Sequence, residues 1–514
     1  MSDCANRLRS SFKFNLNHAM KELICSLLLL FVLLAAAHLS QTVQVKPLAI
    51  THVTVIDATG TPARPDMTVL VADGRIAAIS KSGLVKVPAD AEVLDATGKF
   101  LIPGLQDMHL HLTIIPDQAV SREVILPMLV AYGVAGVRDM GGDWQRLRQL
   151  REEIGAGKII GPRILSPGPF VDGPQPPNKV TLPVGNEDEA RQAVRKLKAD
   201  GVDFIKVQAL LGPPEWRAVL SEATQQHLTV AGHIPERISA FDVATSGQRS
   251  IEHISPVIPG DAGLLLACSG QEAALRAELL EFEKASQQPN ADRQQLFKQQ
   301  RALQSRMIST YDQTKCEQLM ALLVKHQVWA VPTQILGRQF APLDSNDVPR
   351  DEAMRLIPLS TRRGWERRRN AVIKASSKED FAFRKGMFEK SRSLVGVMRR
   401  TGVRLMAGTD AIDSYVLPGL SLHEELALMV ESGLTPMEAL QSATRNPALF
   451  LGRLDSSGTI ERGKQADLLL LDANPLTNIS NTRRIHTIIL NGQLISPARR
   501  REMLDKVAVW ANEH

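Results

Sequence analysis

The pattern of apolar and polar positions divides the chain into β-rich ends and a mixed middle. In the region 43–102, short apolar runs alternate with turn residues such as Ala72-Asp73-Gly74, which is typical of strands and hairpins. The same pattern returns over 458–495, where Asn491-Gly492 is a hairpin-turn dipeptide. We therefore predict that both ends of the chain combine into one small β-sandwich that carries a large domain between them.

The middle of the chain alternates short apolar runs with helical stretches, which predicts an α/β fold with parallel strands. Eight such runs can be counted, the number that a (β/α)8 TIM barrel needs. The candidate strands are 105–111, 133–139, 163–166, 204–207, 228–233, 250–253, 328–331 and 403–407. The predicted domains are a β-sandwich from 41–102 and 455–514 and a barrel over 103–454.

Two helical inserts interrupt the predicted barrel, near 256–326 and 343–400. In the first, 271–286 and 291–309 have helical periodicity and are separated by Gln288-Pro289-Asn290. The inserts are a lid over the barrel mouth, or else a solvent-exposed decoration or an oligomer contact. A Pro- and Gly-rich stretch at 168–179 is expected to be a loop and carries no recognisable motif.

The first 40 residues are expected to be a signal peptide. Their uncharged, apolar run over 23–37 follows Arg7, Arg9 and Lys21, and small residues come after it. Met20 fits a natural start better than Met1. The chain is therefore expected to be exported, periplasmic or secreted, or membrane-anchored if the segment is not cleaved. In such a compartment Cys268 and Cys316 either form a disulfide or remain two buried thiols.

Composition and charge exclude one class of partner. The net charge is +6 over 514 residues and aromatic residues make up 4%. Basic clusters, such as the arginines at 367–369, are not interleaved with aromatic residues, so we read them as solvated faces and expect no nucleic-acid binding. The sequence leaves the oligomeric state open.

Reactive residues fall where the predicted strands end. His109 and His111 are two apart in the first strand, so their imidazoles point to one side and could bind a metal ion. Four further residues end or follow later strands, where barrel active sites lie. They are Lys206, His233, His253 and Asp410.

With these residues in place, the sequence resembles the amidohydrolase superfamily of metal-dependent hydrolases. The resemblance covers about 49–495, with the two helical inserts the least matched, and is greatest to the imidazolonepropionase-like and prolidase-like branch. It rests on the six residues above and on Pro103-Gly104-Leu105, Gly458-Thr459-Ile460-Glu461-Arg462-Gly463-Lys464-Gln465-Ala466-Asp467-Leu468, Leu434-Thr435-Pro436-Met437-Glu438-Ala439-Leu440 and Thr444-Arg445-Asn446-Pro447.

The resemblance implies a pair of divalent metal ions, with zinc as the expected metal. Lys206 would be a carboxylated lysine that bridges the two ions, since burial favours the neutral amine that can take up carbon dioxide. His109, His111 and Asp410 would complete one metal site and His233 with His253 the other. A hydroxide shared by the metals would attack a carbonyl, and Asp410 would carry its proton to the leaving nitrogen.

The implied activity is hydrolysis of an amide-type C–N bond in a small molecule, such as a dipeptide, an N-acyl amino acid or a cyclic amide. An ester or a lactone is the alternative bond. The main alternative mechanism is a mononuclear deaminase of the same superfamily, with Glu236 as the acid–base residue. A Schiff-base enzyme using Lys206 leaves the histidines without a role, and a non-catalytic scaffold conflicts with the complete ligand set.

Other residues near the strand ends are candidates for binding substrate, lining the pocket or supporting the site. Arg138 is a candidate for binding a substrate carboxylate only because of its position, and Asp139 and Gln208 are candidates for lining the pocket. We expect His423 to be structural or to support the site indirectly. The substrate contacts themselves are not predictable from the sequence.

Overall fold

The structure is a computed structural model, and it describes residues 46–115, 117–254, 263–288, 290–340 and 352–514. The predicted signal peptide, both candidate start residues and parts of the two inserts lie outside these residues. Within the described residues, no helix combines the length and apolar character needed to cross a membrane.

Strands from both ends of the chain form one eight-stranded sheet, as the sequence predicts. The hydrogen-bonded strands within this sheet follow the order β18-β17-β16-β5-β1-β2-β3, and β4 pairs with β1. β5 and β16 join the two ends of the chain through antiparallel pairing. The strands are β1 (Leu48–Val55), β2 (Arg64–Ala72), β3 (Arg75–Lys81), β4 (Glu92–Asp95), β5 (Phe100–Pro103), β16 (Leu468–Leu471), β17 (Ile485–Leu490) and β18 (Gln493–Ile495).

The sheet curls back on itself and encloses its own hydrophobic cluster. The hairpin between β2 and β3 contacts the segment before β16, where Ile76 N donates to Lys464 O and Ala466 N donates to Gly74 O. Alternating residues of the strands, such as Ile50 and Val69, fill the enclosed space with Leu470.

Within the described residues, the middle of the chain contains ten further strands, and the pairings among them are parallel. Each of the eight predicted runs contains one of them, so the α/β prediction is confirmed. The strands are β6 (Leu105–Leu110), β7 (Val134–Asp139), β8 (Arg163–Leu165), β9 (Phe170–Asp172), β10 (Thr181–Pro183), β11 (Ile205–Val207), β12 (Val230–Gly232), β13 (Ser250–Glu252), β14 (Trp329–Val331) and β15 (Arg404–Leu405).

These strands form a three-stranded sheet, β6-β7-β8, and a seven-stranded sheet, β10-β9-β11-β12-β13-β14-β15. Backbone hydrogen bonds connect the two sheets at both edges. Asp203 N donates to Ser166 O beside β8, and Met108 N of β6 donates to Ala407 O just after β15. Burial on both faces explains why these strands are apolar runs rather than alternating ones.

The segment 168–179 is not only a loop, contrary to the sequence prediction. β9 lies within it and pairs with both β10 and β11. Three residues, Phe170-Val171-Asp172, are too short a run to stand out among Pro and Gly residues. The strand places the buried Phe170 ring 5.7 Å from the ring of His111.

Helices follow most of the parallel strands and also make up the inserts. They are α1 (Leu126–Ala131), α2 (Trp144–Gly155), α3 (Glu187–Asp200), α4 (Pro213–Gln225), α5 (Ala240–Ser246), α6 (Gly263–Ala267), α7 (Glu272–Ser286), α8 (Arg293–Ser309), α9 (Gln313–Lys325), α10 (Gln334–Phe340), α11 (Leu359–Ala375), α12 (Lys378–Thr401), α13 (Leu420–Glu431), α14 (Pro436–Ser442), α15 (Arg445–Phe450) and α16 (Pro497–Glu513). A π-helical turn precedes α1, and 3-10 turns begin at Glu352 and Ile479.

The two inserts pack against each other. α7 and α8 of the first insert form a hydrophobic cluster that includes Leu279 and Leu303 and that Met387 of α12 joins from the second insert. Arg301 and Asp380 add an ion pair between α8 and α12. The helical inserts are therefore one packed unit, whereas their role as a lid remains a prediction.

A disulfide joins Cys268, just after α6, to Cys316 in α9. Both cysteines are completely buried. The bond closes a segment with a sequence separation of 48, which contains α7 and α8. Of the two possibilities that the sequence leaves open, the structure has the disulfide.

We predict that the double substitution Cys268→Ala and Cys316→Ala lowers the free energy of unfolding by about 2–4 kcal/mol, because the unfolded chain regains the entropy of the open loop. Denaturant unfolding would measure the loss. Thiol-reduced wild type is the control and should unfold at a similar midpoint. An unchanged midpoint in the variant would show that the disulfide adds nothing to stability.

Candidate metal centre

All six predicted site residues lie at or just past the C-terminal ends of parallel strands. They are His109 in β6, His111 after β6, Lys206 in β11, His233 after β12, His253 after β13 and Asp410 after β15. Because the strands are parallel, these ends lie on one side of the sheets. The fold thus brings together residues that are as much as 301 positions apart in sequence.

Three histidines surround the carboxylate of Asp410. Its Oδ1 lies 3.5 Å from Nε2 of His109 and 3.3 Å from Nε2 of His111. Its Oδ2 lies 4.0 Å from Nε2 of His253. The potential ligand atoms of His109, His253 and Asp410 all lie within 4.8 Å of one another.

His233 and Lys206 complete the group. The ring of His233 is 5.0 Å from that of His253, which in turn is 4.5 Å from that of His109. Lys206 is 1% exposed. Burial lowers the pKa of His109 and of His233 well below the usual value, and the positive charge of nearby Lys206 lowers both further.

The Nδ1 atoms of three of these imidazoles each bind a separate acceptor. His109 Nδ1 lies 2.9 Å from Glu252 Oε2, and His111 Nδ1 lies 2.9 Å from the carbonyl oxygen of Gly141. His253 Nδ1 lies 2.8 Å from Thr333 Oγ1. The hydroxyl of Thr333 can donate its own proton to Pro332 O, so its oxygen is able to accept from His253.

These contacts fix the tautomer of each imidazole. A carboxylate and a carbonyl can only accept, so Nδ1 carries the proton in His109 and His111, and the same assignment fits His253. In the neutral imidazole, which is the form that binds a metal ion, each Nε2 then has its lone pair on the side of Asp410. Histidines that bind metal ions are oriented in this way by a partner on the other ring nitrogen, so the donor set fits a divalent metal ion.

The carboxylate beside His109 belongs to a buried ion pair that the sequence analysis missed. Glu252 accepts from Arg138 Nη2 at 2.7 and 2.8 Å and from Ser250 Oγ at 2.5 Å. Both charged side chains are at most 1% exposed. The sequence does contain a signal for this pair. A charged residue inside a buried strand requires a partner, and β7 contains Arg138 while β13 contains Glu252.

Arg138 is therefore not the anchor for a substrate carboxylate that its position suggested. Its Nε donates to Met108 O at 2.7 Å and its Nη1 to Ser250 Oγ at 3.0 Å, while Nη2 is held by Glu252. All three nitrogens are thus used inside the fold, beneath the histidines.

A second buried carboxylate, Asp107, supports the strand ends of His109 and Asp410. It accepts from Thr409 Oγ1 at 2.7 Å and from the backbone nitrogens of His109 and Thr409. Burial raises its pKa to about 7 in spite of these hydrogen bonds. Asp107 thereby joins β6 to the segment that carries Asp410.

Unusual backbone conformations aim two of the site residues. His253 and Asp410 have φ values of 62° and 61°, in a left-handed region that non-glycine residues seldom occupy. Glycines allow close packing next to the site. A Cβ on Gly408 would lie 2.8 Å from His109 N, and one on Gly232 would lie 2.2 Å from Val207 O.

The charges at the site favour an ionised Asp410. Burial alone would raise the pKa of Asp410, but the hydrogen bond from His111 and the neighbouring charges outweigh it, so the pKa is lowered. Burial likewise opposes protonation of His111, but Asp410 outweighs it and raises the pKa of His111. The carboxylate is thus anionic at neutral pH and suited to hold a cation.

The remaining candidates have structural contacts. Asp139 is buried and accepts from Leu112 N, Gly141 N and Ser166 Oγ. His423 is buried, with Nδ1 2.9 Å from Thr482 Oγ1 and Nε2 2.9 Å from Tyr132 O, in agreement with the structural role expected for it.

Comparisons with known proteins agree with this arrangement. The sequence profile of the amidohydrolase family matches residues 300–495. A similar solved structure, that of a putative prolidase from Bifidobacterium longum, is 26% identical with a TM-score of 0.60, covering 90% of this chain and 99% of the other. The chain is thus similar to proteins of the amidohydrolase superfamily. The similarity includes imidazolonepropionases and a putative prolidase, in agreement with the resemblance seen in the sequence.

Curated members of the superfamily match over short segments. An imidazolonepropionase from Mesorhizobium japonicum is 38% identical over 89 residues, which is 16% of this chain and 20% of that protein. An ochratoxinase from Aspergillus niger is 37% identical over 82 residues, 16% of each protein. The chain thus aligns with only about a fifth or less of the length of these two enzymes.

A Xaa-Pro dipeptidase solved with bound methionine has a TM-score of 0.61 to this chain, and the match covers 88% of this chain and all of the dipeptidase. At 20% identity, this similarity concerns the fold alone.

We predict that Glu252→Ala lowers the free energy of unfolding by about 3–5 kcal/mol, because Arg138 would remain buried without its counter-charge. The double variant Arg138→Met and Glu252→Ala should lose less than the sum of the two single losses, because the uncompensated charge is gone. Denaturant unfolding of all four proteins tests the coupling. Additive losses would show that the two residues act independently.

Proposed function

We propose that the chain is a binuclear metal-dependent amidohydrolase that cleaves an amide-type C–N bond in a small molecule. The observation that carries the proposal is the set of three imidazoles whose Nδ1 atoms are occupied and whose Nε2 atoms face Asp410. Ion pairs that serve stability alone do not need several neutral imidazoles around one carboxylate.

We also propose that the two parallel sheets are parts of one closed (β/α)8 barrel, and that the sheet from the chain ends is the small β-sandwich. Hydrogen bonds from Asp203 to Ser166 and from Met108 to Ala407 support closure by crossing both gaps between the parallel sheets. The barrel places loops at the C-terminal face, where the site residues lie.

In the proposed site, His109, His111 and Asp410 hold one metal ion, and His233 and His253 hold the other. Lys206 lies among them and would bind both ions as a carbamate, since its charge is unfavourable beside two metal ions. Nitrogen and oxygen ligands suit zinc. When bound, two such ions supply an activated water nucleophile and polarise the scissile carbonyl.

The proposed role of Asp410 is proton transfer as well as metal binding. Its lowered pKa leaves the carboxylate ready to accept a proton from the attacking water. The same carboxylate would then pass the proton to the departing nitrogen, which must be protonated to leave as an amine. The Nε2 atoms of His109 and His111 lie 3.5 and 3.3 Å from Oδ1, so the carboxylate and both imidazoles would face the same metal ion.

The proposed substrates are dipeptides, N-acyl amino acids and cyclic amides, with esters and lactones as the alternative. This proposal rests on the chemistry of the site together with the related imidazolonepropionase and ochratoxinase. The buried position of Lys206 among the histidines disfavours the mononuclear deaminase, since a single-metal site has no use for it.

We propose further that the protein acts outside the cytoplasm. The apolar segment over 23–37 supports export, and the disulfide between Cys268 and Cys316 suits an oxidising compartment. The mass of the protein recovered from the producing cells would show whether the segment is removed.

We predict two zinc ions per chain in the purified wild type and a clear loss of metal in Lys206→Ala, because the substitution removes the shared ligand. Elemental analysis measures the metal content, and release of amine from a panel of dipeptides and N-acyl amino acids measures activity. Lys179→Ala, in the 168–179 segment, is the control and should retain both ions.

Two outcomes contradict the proposal. A single ion per chain that is unaffected by Lys206→Ala would favour the deaminase, with Glu236 as its acid–base residue. Wild type that binds no metal after exposure to zinc, manganese and cobalt would refute the metal-dependent mechanism.

A further inference from the structure

The first helical insert contacts the loop that begins with a predicted metal ligand. This loop, residues 233–239, starts at His233 and ends at Ser239, the N-cap of α5. Arg276 of α7 donates from Nη1 to the carbonyl oxygens of Glu236, at 2.6 Å, and Ile238, at 2.8 Å. One guanidinium from outside the barrel thus binds the loop at two backbone positions.

A carboxylate holds this guanidinium in place. Glu272, one turn before Arg276 in α7, accepts from Arg276 Nη2 at 2.8 Å, from Ser239 Oγ at 2.7 Å and from Lys315 Nζ at 2.7 Å. The Arg276 and Glu272 side chains are 14% and 13% exposed, so water competes little for these contacts. Burial opposes ionisation of Glu272, but its three donors outweigh this and lower its pKa.

The opposite side of the loop is bound to the barrel. His233 N donates to Val207 O at 3.1 Å, and Glu236 N donates to Ala209 O at 2.9 Å. The start of α6 packs closely beside it, since a Cβ on Gly263 would lie 2.6 Å from Cβ of Ile234. The loop therefore lies between the segment that follows Lys206 and the insert.

The insert is itself tied down next to this network. Lys315, which binds Glu272, also donates to Ser269 O at 2.9 Å, and its neighbour Cys316 forms the disulfide to Cys268. The contact between Arg276 and the loop therefore depends on α7 and α9 keeping their relative positions.

We propose that Arg276 is a positioning residue, which fixes the loop 233–239 so that His233 stays beside His253, and that Glu272 orients it. The proposal rests on the function proposed above insofar as His233 is a metal ligand. It makes the helical insert a working part of the site rather than an appendage to the barrel.

The test compares Arg276→Gln with a matched variant of the same insert. Arg306 of α8 binds Glu278 of α7 at 2.6 and 2.7 Å, but this pair is exposed, and the other side-chain partner of Arg306, Gln271, also lies within the insert. Arg306→Gln therefore removes a similar ion pair from the insert without removing a bond to the loop. Arg276→Lys, which keeps the charge, is the conservative variant.

Hydrogen exchange of the 233–239 amides is the first measurement, made on metal-free protein. We expect Arg276→Gln to speed this exchange about tenfold, which corresponds to about 1.4 kcal/mol, near the net value of a hydrogen bond. Arg306→Gln should leave the exchange unchanged, and Arg276→Lys should give an intermediate rate. If Arg276→Gln does not fold, Arg276→Lys and Arg306→Gln decide the comparison.

The second measurement is the rate at which a chelator removes zinc from each protein. Arg276→Gln should lose one of its two ions about tenfold faster than wild type, while the other is retained as in wild type. Equal exchange in Arg276→Gln and wild type, or an equal increase in Arg306→Gln, would overturn the proposal. If wild type binds no metal, the proposed function fails, whereas the exchange comparison still decides the role of Arg276.

Discussion

The site depends on one buried contact, in which Glu252 accepts from the imidazole of His109 while Arg138 neutralises its charge. Neither charge would be stable alone at this depth, since an isolated ion inside a protein costs several kcal/mol. Together they join three parallel strands, β6, β7 and β13, and set the direction of a histidine in the first. Glu252 is the last residue of β13 and is followed at once by His253, so the same contact fixes the base from which a second imidazole extends.

The ion pair supports the imidazoles from below, and further hydrogen bonds hold the residues around them. Asp107 ties the strand of His109 to the segment of Asp410, Thr333 orients His253, and Arg276 reaches the loop of His233 from the insert. Each restraint comes from a different part of the chain, so the geometry of the group is set by the tertiary fold. The parallel sheets and the helical insert thus contribute to the same site.

Much of this arrangement is predictable from the sequence, for a definite reason. Parallel strands buried on both faces are short apolar runs, and a reactive side chain at the end of such a run or shortly after it, as at His233 or Asp410, lies at the active face. The supporting contacts follow no local rule. Strand alternation does not predict where the side chains of Glu252 and His253 point, because His253 has a φ of 62° and so leaves the extended conformation. The strand β9 is too short to recognise in the sequence. The bond from Arg276 to two carbonyl groups depends on how separate helices dock, which periodicity does not encode.

The most direct test of the central claim is anomalous diffraction at the zinc edge from crystals of the zinc-loaded protein. We predict two peaks, one beside His109, His111 and Asp410 and the other beside His233 and His253. We also expect additional density on the Lys206 side chain between them. A single peak with an unmodified Lys206, or no peak at these residues, would contradict the binuclear centre.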